Sequence, residues 1–311
     1  MGRYLTRRLL TGLLTLWGLG TVLFVLLRFF PGGPFDEEVA LRPEIRALLE
    51  AKYKIHEGAW ASYTNYWGQI LKGDLGTSLY FSDQSVARVI STGFTATMAL
   101  SLPGLIIALL LGLFWGTIPH LSSSWARPAR AFSQLGLSLP TLFLGPLLLW
   151  LFCFQWDLFP IRVGGGGGGG GGGSAFSYVL PVFLLAFRPS LSLGRLLDVK
   201  LRQVRQEDYI RTLEALGSHP RRLIWRWSLK NAMPVYVGSV PGLAAGLLSG
   251  SLLIETLFSI QGLGFQFTQS LLNRDWTLAL GLTLFFGVLL IAFQILADAA
   301  LMCLDPRVTV K

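Results

Sequence analysis

Residues 198–234 read DVKLRQVRQEDYIRTLEALGSHPRRLIWRWSLKNAMP and lie between two apolar runs, 176–197 and 235–258. Within the stretch, Leu201 and Val204, then Asp208, Tyr209, Leu213 and Leu216, recur at helical spacing and predict a helix. Gly217, able to adopt a positive φ, ends it. Ser218 is placed to cap a second helix, with Pro220 in the first turn, where a missing N–H costs nothing, and Leu223, Ile224 and Trp227 on its apolar face. Two uses of such a loop are open. Arg221, Arg222 and Arg226 suit a basic connector held near anionic lipid. A helix lying on lipid has no need of a Gly-Ser-x-Pro break, however, whereas a short rigid elbow suits docking into a groove on a partner.

A polar loop between apolar runs is the repeating unit of the whole chain. Of 311 residues, 52% are hydrophobic and 14% charged, with a mean hydropathy of +0.55; soluble domains carry roughly a quarter charged residues. Six segments, 9–30, 94–118, 129–154, 176–197, 235–258 and 278–304, approach the ~20 apolar residues with which a helix crosses a hydrocarbon core of ~30 Å. No soluble-looking block exceeds about 65 residues, which excludes a separate soluble enzyme domain. The expected fold is all-α and polytopic, with about six transmembrane helices. The first run follows Arg3, Arg7 and Arg8, but Leu9 to Leu27 is uncharged for longer than a signal peptide needs and no A-x-A site follows, so a retained helix is expected. With the N-terminus in the cytoplasm, sixteen Lys and Arg fall on cytoplasmic segments and eight on external ones, six of those eight in one long loop where the rule counts for little. Both termini are therefore expected inside, and the net charge of +9 reflects topology before it suggests nucleic acid.

Three regions follow: an N-terminal tail and first transmembrane helix over 1–30, an external loop over 31–93, and a core of five transmembrane helices over 94–311 that contains the polar loop 198–234. In the external loop, Ile45, Leu48, Leu49 and Lys52 follow helical spacing, and Trp60, Tyr63, Trp67, Ile70 and Leu71 form a second stripe. Trp and Tyr favour the membrane interface, so anchoring is the simpler use of this stripe and substrate contact the other. Gly164 to Gly173 is unbroken glycine from which no core can be built. It is either a flexible tether or a placeholder for unassigned residues, and carries no functional assignment.

Several chemistries are missing. Cys153 and Cys303 fall near opposite membrane faces, too far apart for a disulfide, and are expected to pack as small apolar residues. His56, His120 and His219 have none of the spacings of a zinc site, so no metal centre is expected. No lysine is followed by Ser or Thr as a Walker A loop requires, and G-x-S-x-G is absent, so neither ATP binding nor catalysis by this chain is expected. Arg28, Arg188, Glu255 and Asp298 lie within or at the edge of apolar runs, where ionisable groups are expensive and normally face protein or water. Arg28, Glu255, Asp298 and, beyond the last run, Asp305 are assigned structural roles, Glu255 and Asp298 as ties at the ends of their spans. Arg188, four residues before Ser192 and deeper in its run, is the better pathway candidate, with Ser192 beside it.

The polar loop also resembles the EAA-type loop of binding-protein-dependent ABC importer permeases, in the form found in the first permease of dipeptide and oligopeptide systems. The residues concerned are Tyr209-Ile210-Arg211-Thr212-Leu213-Glu214-Ala215-Leu216-Gly217, then Arg221-Arg222 and Leu229-Lys230-Asn231-Ala232. Glu214-Ala215-Leu216 looks like the EAA triplet but is out of register; the motif's three positions fall on Arg211, Thr212 and Leu213. Similar segments recur in order along the chain: Arg3-Tyr4-Leu5, Pro31-Gly32-Gly33-Pro34, Gly73-Asp74-Leu75-Gly76-Thr77-Ser78, Glu255-Thr256-Leu257-Phe258 with Gly262-Leu263-Gly264, Asn273-Arg274-Asp275, and Leu304-Asp305-Pro306-Arg307. Three features depart from the family pattern. Lys230-Asn231-Ala232-Met233-Pro234 is one residue short, Gln261 replaces a proline, and the glycine run has no counterpart.

The resemblance implies a type I ABC importer permease fold in a bacterial or archaeal inner membrane. Its implied partners are a second, related permease, two ATP-binding subunits and an extracytoplasmic solute-binding protein, with ATP and Mg held by the ATPases and no cofactor on this chain. For docking onto the ATPase it points to Leu213, Ala215, Gly217, His219 and Pro220, rimmed by Arg221 and Arg222, with Tyr209, Arg211, Thr212 and Glu214 in the same coupling loop. Peptides are the implied substrate; nickel chelates, glutathione and sugars are handled by similar permeases. An ATPase-independent transporter or channel is the competing class, but internal repeats and an intramembrane acidic or interrupted-helix site would be expected of a secondary transporter, and neither is read in the sequence.

Overall fold

The computed structural model describes residues 2–29, 58–80, 84–160 and 175–304. Within them the regular structure is helical, apart from an isolated antiparallel bridge between Thr77 and Ser85. In chain order the helices are α1 (Gly2–Phe29), α2 (Ala59–Leu71), α3 (Val86–Leu121), α4 (Ser123–Ser138) and α5 (Thr141–Leu149), which runs on as a π-helical turn, Trp150–Gln155. A 3₁₀ turn, Ala175–Tyr178, leads into α6 (Val179–Arg205). Then come α7 (Asp208–Ala215), α8 (Pro220–Arg222), a second π segment (Leu223–Ser228), α9 (Leu229–Gly238), α10 (Val240–Leu257), α11 (Leu263–Leu272) and α12 (Trp276–Leu304).

Five of these stretches are long and apolar enough to cross a membrane: Thr6–Leu27, Val86–Leu121, Phe176–Val204, Val240–Leu257 and Trp276–Ala299. The sixth expected span, 129–154, is not one straight helix. It is the pair α4 and α5, bent by 97°. The cause is local: Leu139 is extended (ψ 123°) ahead of Pro140, whose ring disfavours helical geometry in the residue before it. Of the two interfacial helices expected in 31–93, the stripe from Ile45 to Lys52 lies outside the described residues, as does the glycine run.

The chain forms two compact units. The first comprises 1–95 and 265–289. Here α2 packs its aromatic stripe on α1: Tyr63 lies edge-on to Phe24 at 5.4 Å, its hydroxyl is 2.8 Å from Thr21 Oγ1, and a Cβ on Gly20 would meet Trp67 at 2.9 Å. Trp60 and Leu71, by contrast, remain exposed at 76% and 86%. The stripe is thus divided between helix packing and an outward apolar face.

The same unit joins two segments, around Ser78 and Asp275, that are 197 residues apart in sequence. Asp275, fully buried, accepts hydrogen bonds from Ser78 Oγ and from the backbone N–H groups of Leu79 (3.0 Å) and Tyr80 (3.3 Å), while its other oxygen accepts from Leu278 N (3.0 Å). Gly76, at φ +81°, makes the turn that brings Ser78 in, and a Cβ there would strike Thr277 Cγ2 at 2.9 Å.

The second unit comprises 96–264 and 290–311. Leu100, Leu149, Cys153, Leu184, Leu247 and Phe258 belong to one buried cluster, in which Cys153 is a free thiol packed as an apolar residue. A second cluster, with Leu193, Leu197, Leu201, Leu229, Ala232 and Tyr236, fastens α6 to α9. Close approach of α3 to α6 depends on Gly112 and Gly116, a G-x-x-x-G pair: a Cβ on either would come within 2.7 Å of the Cβ of Leu193 or Leu197. Tyr236 Oη donates to the Leu109 carbonyl, tying α9 to the same region of α3.

Candidate functional site

The polar loop folds as an elbow between α6 and α9. The helix expected from Leu201 through Leu216 is in fact two: α6 ends at Arg205, and Glu207, extended at ψ 141°, starts α7. Neither glycine nor proline marks this break. Ile210, fully buried, anchors α7, whereas Leu216, read as part of the helix's apolar support, is 76% exposed. The elbow's helix packs on the end of α6 and on the π segment 223–228.

The turn closes as a Schellman motif. Ser218 N donates to Leu213 O (3.1 Å), Gly217 N to Glu214 O (3.0 Å), and Gly217 takes φ +76° with nothing within 4 Å of where a Cβ would sit. The next helix is not capped by Ser218. His219 caps it, its Nδ1 accepting from Arg221 N (3.3 Å) and its carbonyl from Arg222 N and Leu223 N (2.9 and 3.1 Å). Pro220 occupies the first helical position, as expected; its side chain is outside the description. Leu223 and Ile224 are buried, whereas Trp227 is 41% exposed and only partly shares their face.

The residues singled out in the loop divide by partner. Thr212 Oγ1 donates back to Asp208 O (2.9 Å) within the elbow, and Glu214 pairs with Arg205 at the end of α6 (3.1 Å). The Tyr209 hydroxyl accepts from Asn231 Nδ2, which ties the elbow to α9. What faces outward is Arg211, Ala215, Leu216, Gly217, His219, Arg221 and Arg222, with Leu213 half-buried. The outward apolar side chain of Leu216 was the residue that helical periodicity misassigned.

Above the elbow, α6 carries the remaining polar groups. Asp198, 5% exposed, is contacted by His120 Nε2 at 3.0 Å, Arg130 Nη2 at 3.2 Å and Arg202 Nη2 at 2.8 Å. It joins the end of α3 and the middle of α4 to the last third of α6. Arg188 and Ser192, one turn apart, are both exposed on α6, and among the described residues Arg188 has no ion-pair partner. Glu255 is fully buried: it accepts from Thr97 Oγ1 (2.8 Å), Ser251 Oγ (2.8 Å) and Gly264 N (2.7 Å), and Thr97 Oγ1 accepts in turn from Leu263 N (2.8 Å). Gly262 has to be glycine here, since a Cβ would lie 2.4 Å from the Glu255 carboxylate. Asp298 is half-buried in α12; Arg28 belongs to α1 with its side chain outside the description, and Asp305 lies outside the described residues. No cluster of His, Cys, Asp and Glu suited to a metal occurs among the described residues.

Comparison with known proteins gives this geometry a context. Residues 104–310 match the family model "Binding-protein-dependent transport system inner membrane component". Over 310 residues, 99% of this chain, the sequence is 33% identical to an oligopeptide transport system permease protein, OppB, of Haemophilus influenzae, covering 99% of that protein. It is 32% identical to a dipeptide transport system permease protein, DppB, of Bacillus subtilis, covering 98% of it, and 31% identical to OppB of Escherichia coli K12, covering 99%. Among solved structures, the inward-facing MetNI methionine ABC transporter aligns with a TM-score of 0.55 at 14% identity, covering 70% of this chain and 97% of that one. An amino acid ABC transporter crystallised with histidines aligns at 0.54 and 16% identity, covering 70% and 94%.

Proposed function

Because the chain belongs to the family of binding-protein-dependent transport system inner membrane components, and is the permease subunit of an ABC importer, we propose that it takes up peptides through a pathway shared with a second, related permease. The observation that carries the peptide assignment is similarity along almost the whole chain to permeases named for oligopeptide and dipeptide transport. A solute-binding protein loads the outer side, and two ATP-binding subunits hydrolyse Mg-ATP inside. Both termini and the elbow 206–222 are cytoplasmic in this scheme, and the chain itself catalyses nothing.

The elbow is the contact through which hydrolysis moves the spans. Leu216, with Leu213 and Ala215, supplies the apolar knob; His219 and Pro220 complete the bend, and Arg221 and Arg222 form an ionic rim. Because α7 is closed by the Schellman turn and seated through Ile210, a push on Leu216 reaches α6 and α9 without first unfolding the loop. The contact has to differ in strength between the two ATPase states, since equal binding would shift no equilibrium.

Arg188 and Ser192 line the pathway. Arg188 lies inside the apolar run of the stretch Phe176–Val204, seven residues before Arg195, about 10 Å at the helical rise. An exposed guanidinium within an apolar run is expensive against lipid and normally faces water or protein. Glu255 and Asp298 are structural ties.

The test is reconstitution of the complete transporter in proteoliposomes, with labelled tripeptides and the solute-binding protein. ATP-dependent peptide accumulation is expected; a complex that hydrolyses ATP and accumulates another class of solute but no peptide would overturn the substrate assignment.

A further inference from the structure

Two cavities share a wall near the end of α6 that leads into the elbow. One, of about 240 Å³, is lined by Arg130, Arg195 and Arg202 around the single carboxylate of Asp198. Its charged lining sums to an excess of cation, and Asp198 is already engaged by Arg130 and Arg202. The other is an open groove of about 780 Å³, almost wholly apolar, running over Phe114, Ile118, Trp125, Phe132 and Leu135 of α3 and α4. Trp115 and Ala129 line both, and Trp115 stacks on Phe132 at 4.6 Å. A cationic pocket that opens beside an apolar trough matches an amphiphile with an anionic head.

We propose that this pair of cavities binds one anionic phospholipid of the cytoplasmic leaflet, with its phosphate against Arg195 between Arg130 and Arg202 and an acyl chain in the groove. This rests on the topology proposed above, which puts the elbow, and hence this end of α6, on the cytoplasmic side. A soluble phosphate would satisfy the arginines but leave the groove bare, and a neutral lipid would fill the groove but leave the cationic excess. Trp125, 64% exposed at the start of α4, is the residue type that prefers the headgroup boundary. The position also gives the lipid something to act on. Asp198 is ten residues before Asp208, about 15 Å along the chain at a helical rise, and α6 is continuous as far as Arg205. A lipid seated at Arg195 therefore braces the stem that carries the elbow.

Native mass spectrometry of the delipidated, purified transporter, titrated with phosphatidylglycerol or phosphatidylcholine, reads the site directly. One phosphatidylglycerol is expected to be retained in preference to phosphatidylcholine. Arg195→Gln is expected to weaken that retention about fivefold, the worth of one cation near an anionic headgroup. Ala131→Trp, which fills the groove without changing charge, should weaken it as well. In nanodiscs, a fraction of phosphatidylglycerol in phosphatidylcholine is expected to raise transport-coupled ATPase activity of the unaltered protein more than that of either variant. Equal retention of the two lipids, or unchanged phosphatidylglycerol binding in both variants, would overturn the proposal. So would full replacement of the lipid by soluble glycerol phosphate, or a photocrosslinker at position 132 reacting with the second permease instead of lipid. The titration reads this site whether or not ATPase subunits copurify, so a failure of the importer scheme would be seen separately, as their absence.

Discussion

Replacing Gly217 separates backbone conformation from bulk at the elbow. The residue sits at φ +76°, and no atom lies within 4 Å of the position a Cβ would take, so a larger side chain meets open space. The penalty of Gly217→Val is therefore conformational: about 1–2 kcal/mol for an L-residue in the left-handed region, with a β-branched side chain at the upper end or beyond. At stake are the two bonds that close the turn, from Ser218 N to Leu213 O and from Gly217 N to Glu214 O. A penalty of that size lowers the population of the closed elbow about fivefold to thirtyfold relative to alternatives. Gly217→Asn, a residue that tolerates left-handed geometry, should lose much less. The assay is the ratio of peptide taken up to ATP hydrolysed in proteoliposomes of the complete transporter, with membrane insertion checked by protein yield. Gly217→Val is expected to insert normally and transport little per ATP, and Gly217→Asn to stay near the unaltered ratio. Normal coupling in the valine variant, or equal damage by asparagine and valine, would refute the conformational account.

Three other substitutions test the remaining residues. Asp275→Ala removes the acceptor shared by Ser78 Oγ and the N–H groups of Leu79 and Leu278, of which the buried Leu278 N–H alone is worth about 1–3 kcal/mol, so thermal melting in detergent should fall by several degrees or the protein fail to accumulate; an unchanged melting curve would remove its role as a clamp. Glu255→Gln keeps one acceptor oxygen but turns an amide toward donors already in place, including Gly264 N–H, and should lower stability with transport per folded molecule retained. Selective loss of transport with an unchanged melting temperature would make Glu255 mechanistic instead. Arg188→Gln should change the KM and rate of peptide uptake while leaving elbow-dependent ATPase stimulation intact, and unaltered uptake would take Arg188 out of the pathway.

Spans were legible from length and apolarity because a hydrocarbon core imposes a minimum run of apolar residues, whatever the tertiary packing. The bend between α4 and α5 was also written in the sequence, at Leu139-Pro140, but hydropathy does not register a change of direction. The division of the loop into α6 and α7 had no such marker: Gln206 and Glu207 are both compatible with helix, and burial of Ile210 decides where the chain turns. The choice of His219 over Ser218 as cap likewise depends on where the Schellman turn leaves the backbone. Asp198 was legible only as a loop-edge charge, since its partners His120 and Arg130 lie far off in sequence and only packing brings them to it. Gly112 and Gly116 carried a readable small-residue spacing, and the contacts of α6 give it its meaning.

The central claim is that the elbow, led by Leu216, docks onto an ATP-binding subunit in a nucleotide-dependent way. A photocrosslinking amino acid placed at position 216 in active native membranes tests it directly, with adducts identified by mass spectrometry in the presence and absence of ATP. Adducts with an ATP-binding subunit, in a yield or pattern that changes with nucleotide, are predicted. Adducts with lipid alone from membranes that still take up peptide would contradict the account.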